Sequence, residues 1–395
     1  MNIKNIIIKV IRAEKPDSPK PFTLPSALHY AARLAIFAAL LALSFMYSGL
    51  VRLRVMAYQR QIFRSNVLPR PVLSVGNITT GGTGKTPTVI VLARLFRQRG
   101  LRVAILTRGY QRKSAAAHLV VTADSTADEV GDEPLFLWKS LNQRELHAAE
   151  ISVIVGSDRH ASGLLALDRF QPDLFLLDDG FQHLRLRRDC DLVLIDATNP
   201  FGGGHVLPAG FLREPLAHLS RASAFVITRS DEIADCAPII ATLQRINPAS
   251  PIFYGVHAFD TLRRLGQDAP TDLSAFQKKR LLAVCGLGNP ASFHHLIRGC
   301  GLTLAATLDF RDHHWYAEED IQKINAMIRQ YGIDGILTTE KDEPKLQPYT
   351  QALDAACYIM TITMRMTPTD KFEQWLKTPF FFVDNFDRLD NNIKC

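Results

Sequence analysis

A glycine-rich turn between an apolar run and a helix-forming run constrains this chain more than any other stretch. Residues Ser74-Val75-Gly76-Asn77-Ile78-Thr79-Thr80-Gly81-Gly82-Thr83-Gly84-Lys85-Thr86-Pro87 continue a β-type run from Pro71 to Val75 and lead into Val89 to Arg99, closed by Gly100. Strand, glycine-rich loop and helix in that order are what a phosphate-cradling loop requires. Gly81, Gly82 and Gly84 tolerate positive φ, so successive backbone N–H groups can converge on phosphate oxygens at a helix N-terminus. Lys85 would reach the terminal phosphates and the Thr86 hydroxyl would sit on Mg²⁺, with Thr79, Thr80 and Thr83 completing the binding loop. The strict pattern G-x-x-x-x-G-K-[ST] asks for glycine where this chain has Thr79, and an ordinary βα turn with an incidental lysine is the bland alternative.

From residue 70 the chain alternates short apolar runs with helical stretches. Strands are expected at 71–75, 102–107, 151–155, 174–178, 192–196, 224–228 and 252–256. Most are continuously apolar, as when helices cover both faces of a parallel sheet. The expected fold is α/β: a doubly wound, P-loop NTPase-like parallel sheet over residues 70–259. Residues 260–280 are polar and read as a linker. A smaller α/β lobe is expected over 281–395, with strands at 281–285, 303–309, 335–339 and 357–362 and helices around 290–300 and 317–331.

Residues 1–69 form a basic segment around an apolar helix. Leu34 to Val51 is eighteen residues without a charge, about 27 Å as a helix, which reaches the lower bound for a membrane span. Arg52 to Arg70 carries five arginines and no acid, which places the body on the cytoplasmic side. Basic flanks on both sides also suit a helix lying in the interface, and a buried soluble helix is the alternative. The net charge of +7 is compatible with nucleic acid, an anionic membrane or a phosphorylated substrate. Six cysteines without a C-x-x-C pair exclude a disulfide framework and a zinc-finger pattern.

Asp178 and Asp179 end the apolar run from Leu174 to Leu177, where a nucleotide-binding sheet places a carboxylate on Mg²⁺, directly or through water. Gly180-Phe181-Gln182-His183 follows, and His183 could orient an acid or cap a turn. Asp132 and Glu133, followed by Pro134, suit a first helical turn, where capping is one reading. Beside a metal–nucleotide site they could divide duties, one accepting a substrate proton and one reaching Mg²⁺. Asp309-Phe310-Arg311-Asp312-His313-His314 ends a strand of the second lobe. A histidine from there could pair with a carboxylate across a cleft, or simply be a surface residue. Thr107-Arg108-Gly109-Tyr110 lies at a strand C-terminus, where ligands of α/β sheets collect. The Gly/Pro-rich stretch 199–215 and Thr338 to Asp342 read as loops, and Arg213 could serve a substrate phosphate or Glu214's surroundings.

Taken together these residues resemble the tetraacyldisaccharide 4′-kinase family, the lipid A disaccharide kinases of Gram-negative bacteria. The resemblance rests on seven motifs in order: Val75 to Pro87, Thr107 to Tyr110, Val130 to Pro134, Leu177 to His183, Pro208 to Pro215, Phe310 to His313 and Thr338 to Asp342. It runs from the apolar helix to about residue 345, and Thr79 matches the family's own form of the loop. It implies transfer of the γ-phosphoryl group of ATP to the 4′-hydroxyl of a lipid-linked glucosamine disaccharide 1-phosphate, giving lipid IV-A. By the same resemblance Asp132 is the general base and His313 its partner, while Glu133, Thr86 and one of Asp178 or Asp179 hold Mg²⁺. The expected partners are the glycolipid substrate and the cytoplasmic face of the inner membrane, with no nucleic acid and no obligate protein partner. A switch of the partition-ATPase or metal-chaperone type is the alternative that the loop alone permits.

Overall fold

The structure is a computed structural model that describes residues 24–110, 112–142, 151–267, 269–312 and 314–378, with side chains from residue 34 onward. Its centre is β1 (Val72–Asn77), the strand that feeds the glycine-rich loop, followed by α2 (Lys85–Gln98). Helix α1 (Leu24–Gln59) precedes it. Then come β2 (Val103–Thr107), β3 (His118–Val120), α3 (Ala127–Val130), α4 (Asp132–Asn142), β4 (Ile151–Gly156), α5 (Arg159–Phe170), β5 (Leu174–Asp178), β6 (Cys190–Asp196), β7 (Ala224–Thr228), α6 (Ala237–Ile246) and β8 (Ile252–Arg264). The remaining elements are β9 (Leu281–Cys285), α7 (Pro290–Gly299), β10 (Leu304–Asp309), α8 (Glu318–Tyr331), β11 (Gly335–Thr339), α9 (Glu343–Leu346), β12 (Cys357–Thr367) and α10 (Thr369–Lys377).

The twelve strands of the described residues lie in one sheet, in the order β10-β9-β11-β12-β8-β7-β6-β1-β5-β2-β4-β3. Every residue of β1, β2, β4, β5, β6 and β7 is buried, which is why these runs carry no period-two alternation. Pairing is parallel except at the edge pair β3–β4 and at the seam β8–β12. The seam differs from the expected layout. Residues 260–264, read as the start of a linker, continue β8, and Met364 pairs with His257 across the seam.

The end of β12 and α10 also depart from a self-contained second lobe. Met364, Met366, Phe372 and Leu376 pack into the core built on β1, β2, β4 and α2. Phe372 meets Phe253 edge-on at 5.1 Å, and Arg99 donates to Glu373 at 2.8 Å. The tail beyond Trp375, for which the sequence suggests no role, thus begins inside a helix that seals the first half. Two further apolar clusters, one on each face of β9–β12, form the core of the second half.

Helix α1 is longer than the apolar run at 34–51. Leu40, Ser44 and Val55 are buried on one stripe, the i, i+4 and i+15 positions falling within about 60° on a single helix face. Ser44 Oγ donates to the carbonyl of Val206 at 2.6 Å, and the Phe37 ring meets His205 edge-on at 6.2 Å. Leu43, Phe45, Met46, Leu50 and Leu53 stay exposed on the other faces, joined by Ile62, Phe63 and Val67 beyond the helix. It is the described helix long and apolar enough to cross a membrane.

Candidate active site

The loop after β1 opens on a cleft of about 1140 Å³ lined by residues from both halves of the sheet. Gly81 and Gly84 have φ of 121° and 88°, values that carry a steric cost for any residue with a Cβ. At Gly84 a Cβ would also crowd its neighbours, lying 2.9 Å from Met364 Cε, the movable end of a flexible side chain, and 3.4 Å from His257 Nε2. Thr79, by contrast, is buried, and its backbone bridges Leu212. No positive φ is needed there, which explains how threonine replaces the glycine of the strict pattern. Thr80 N–H donates to Phe211 at 2.8 Å, so the Gly/Pro-rich stretch braces the start of the loop.

The rest of the loop is held from below. Thr228 Oγ1 donates to the Thr83 carbonyl at 3.0 Å, and Arg229 Nη2 to the Gly82 carbonyl at 2.7 Å. Arg229 is buried, forms an ion pair with Asp196 and donates to Ser292 Oγ of α7 at 3.1 Å. One guanidinium therefore ties the phosphate loop, β6 and the second half together. Sequence reading missed Arg229; the signal available was its place just after a strand, like that of Asp179. Lys85 Nζ lies 3.3 Å from Asn77 Oδ1 and 3.6 Å from Asp179 Oδ1, at the mouth of the loop.

Val75 is in register with Asp178, so β5 delivers its terminal acids beside the loop. Asp178 is buried and accepts from Thr107 Oγ1 at 3.2 Å. Burial, then the nearby carboxylates of Glu133 and Asp179, push it up to about 7 against the pull of Lys85. Asp179 adopts a left-handed φ of 51° and accepts from Arg213 at 2.8 and 2.9 Å. Burial would raise it, but Lys85 and Arg213 outweigh burial and hold it below the usual carboxylate range. Arg213 thus serves Asp179. Thr86, Glu133, Asp178 and Asp179 all line the cleft. They are hard oxygen donors gathered beside the phosphate loop, so the set fits a cation of magnesium type.

Behind these acids, buried Glu214 accepts from Gln182, His218 and Arg221 at 2.7–3.0 Å. It fastens the turn after Asp179 to the end of the Gly/Pro-rich stretch. His183 lies in that turn, its N–H donating to Gly180 at 2.8 Å, and burial with Arg159 and Arg188 lowers it to about 4. It caps a turn; it does not line the cleft.

Asp132 and Glu133 begin α4, after Gly131 at a φ of 95°. Glu133 faces the main cleft, 4.0 Å from Lys341 Nζ, and Asp132 Oδ2 lies 3.9 Å from Lys345 Nζ. Asp132 lines a smaller adjoining cavity of about 450 Å³ with Tyr110, Lys113, Asp128 and Trp315. Tyr110 and Glu133 border both cavities. The second half adds Gly288, Asn289, Asp312, Glu340 and Lys341, which with Thr339 brings the middle of the stretch from Thr338 to Asp342 into the site. Buried Asp342 holds that loop, accepting from Thr339 Oγ1 at 2.7 Å and from Gly286 N–H at 3.1 Å. His313 lies outside the described residues; its neighbour Asp312 lines the cleft.

Comparison with known proteins places this arrangement. Residues 36–380 match the family described as tetraacyldisaccharide-1-P 4′-kinase, so the likeness continues past residue 345, where the motifs stop. A tetraacyldisaccharide 4′-kinase of Geobacter metallireducens is 41% identical over 322 residues, 80% of this chain and 91% of that relative. One of Pelobacter propionicus is 38% identical over 317 residues, covering 79% and 84%. A crystal structure of LpxK from Aquifex aeolicus in complex with ATP aligns with a TM-score of 0.66 at 30% identity, over 87% of this chain and 99% of that one. A phosphate loop backed by the seam, paired acids at two strand and helix ends, and a match along most of the chain give one conclusion: the chain belongs to the tetraacyldisaccharide-1-P 4′-kinase family.

Proposed function

We propose a division of labour among the residues of this cleft for the family's reaction. The chain is an ATP-dependent kinase of lipid A biosynthesis, acting on the 4′-hydroxyl of tetraacyldisaccharide 1-phosphate to give lipid IV-A. The partition-ATPase or metal-chaperone alternative is not favoured by this membership. Residues Thr79 to Thr86 take the triphosphate, with Lys85 on its terminal phosphates. Mg²⁺ fits among Thr86, Glu133, Asp178 and Asp179, where its charge would neutralise the transferring phosphoryl group.

Asp132 is the general base, accepting the proton of the attacking hydroxyl, and His313 is its partner. The observation that carries this reading is the placement of the acid pair at the junction of the two cavities. Glu133 borders both, whereas Asp132 lines the adjoining one with Tyr110 and Trp315. Donor and acceptor would then meet at the boundary. Phosphoryl transfer asks mainly for such positioning and for charge neutralisation.

Helix α1 brings the protein to the cytoplasmic face of the inner membrane. Its contacts with the body, from Phe37 to Val55, support a helix lying in the interface. The basic run from Arg52 to Arg70 would meet anionic headgroups and the sugar phosphate. The reading is tested by incubating the purified chain with γ-labelled ATP and a membrane lipid extract. Label entering a glycolipid is expected; hydrolysis to free phosphate with no labelled lipid would sink the acceptor assignment.

A further inference from the structure

The second half carries a cluster of metal-ligand side chains apart from the kinase cleft. Cys285 ends β9, Asp309 ends β10, and His294 lies on α7 between them. Their ligand atoms all fall within 4.8 Å of one another, and none of the three lines the cleft. Cys285 Sγ is 3.7 Å from Asp309 Oδ1, and His294 Nε2 is 3.0 Å from the same oxygen. His294 is only 8% exposed, yet its Nε2 makes no hydrogen bond, the contact with Asp309 being out of line for one.

Zinc-type bond lengths, about 2.3 Å to sulfur and about 2.0–2.2 Å to nitrogen and oxygen in a tetrahedron, set N and O roughly 3.3 Å apart and S and O roughly 3.6 Å apart. The observed separations differ from these by a few tenths of an ångström. A hard cation such as Mg²⁺ does not suit a sulfur ligand.

We propose that Cys285, His294 and Asp309 bind one divalent cation of the zinc type, with water as fourth ligand beside the partly exposed Asp309 carboxylate. Helix α7 also presents Ser292, Phe293 and Leu296 to the cleft wall, so the cation pins that wall to β9 and β10.

Titrating the reduced full chain with Co²⁺ alone tests the site, because a thiolate-to-cobalt charge-transfer band reports sulfur ligation and ignores oxygen sites. The expected result is a band that saturates at one cobalt per chain, is bleached by Zn²⁺, and needs at least tenfold more cobalt in Cys285→Ser and Asp309→Ala. Cys285 is buried and its variant could lose the fold, which circular dichroism reports; Asp309→Ala then decides alone. Absence of the band in the unmodified chain, or an unchanged titration in Asp309→Ala, overturns the proposal.

Discussion

Buried Lys345 sets its ammonium 3.9 Å from Asp132 Oδ2, joining the second half of the sheet to the first turn of α4. Lys341 does the same for Glu133 at 4.0 Å. Each acid of the pair therefore has its own lysine, and both lysines come from one short segment after β11. The more exposed Lys341–Glu133 pair contributes little to stability.

Asp132→Asn should lower turnover by about 10²–10⁴-fold, the range for loss of a positioned base, while nucleotide affinity stays near that of the unmodified chain. Lys345→Met should lower turnover by a smaller factor, since it disturbs only Asp132's position. Near-normal turnover in Asp132→Asn would refute the base assignment.

Gly84→Ala should abolish nucleotide binding. The new methyl meets Met364 at 2.9 Å, and the backbone is at a φ of 88°, so destabilisation of at least about 1 kcal/mol is expected as well. Adding Met364→Ala restores room but not the dihedral, so calorimetry should find binding only partly recovered. Full binding by Gly84→Ala alone would contradict the geometry.

Glu214 gives a pH signature. Burial raises it, but His218 and Arg221 lower it further, from an ordinary 4.5 to about 2. Being depressed in the folded state, it stabilises the fold above about pH 4.5, and that contribution, of order 3 kcal/mol, fades as pH falls toward 2. Glu214→Gln should unfold more readily at neutral pH and lose less stability between pH 4.5 and 2 than the unmodified chain. Equal acid profiles in denaturant melts would exclude this role.

Replacing Phe45, Met46, Leu50 and Leu53 together with glutamine should release the protein from anionic lipid vesicles in a flotation assay. These side chains are exposed, so the fold and nucleotide binding should persist. Retention on vesicles would point to another surface.

Phe372→Ala should cost about 3–5 kcal/mol, the usual range for emptying a buried aromatic site, and nucleotide binding should weaken with it. Phe372 is 2% exposed within the core of the first half. A thermal midpoint unchanged by the substitution would show that α10 is dispensable.

Much of the first half was legible in the sequence, because its strands are unbroken apolar runs and its acids and loop stand at strand ends. The seam was not. Residues 260–264 are polar because β8 is only partly buried there, and partial burial resembles a linker in composition. Pairings such as Arg229 with Ser292, 63 residues apart, or Lys345 with Asp132, depend on how the halves meet, which no local pattern records. Arg213 shows the same limit: its place in a motif marked it as important, but only the fold shows that it neutralises Asp179.

The backing of the phosphate loop has a consequence for how the protein is made. Gly84 rests on His257 and Met364, and the core beneath it is completed by Phe372 and Leu376. A ribosome finishes Lys85 nearly three hundred residues before it finishes α10. Until then the growing chain holds a nucleotide loop without its floor and an apolar face open to solvent, the kind of surface that chaperones cover. Catalytic competence therefore arrives late in synthesis, and a chain cut short before β12 would be a loop without a kinase.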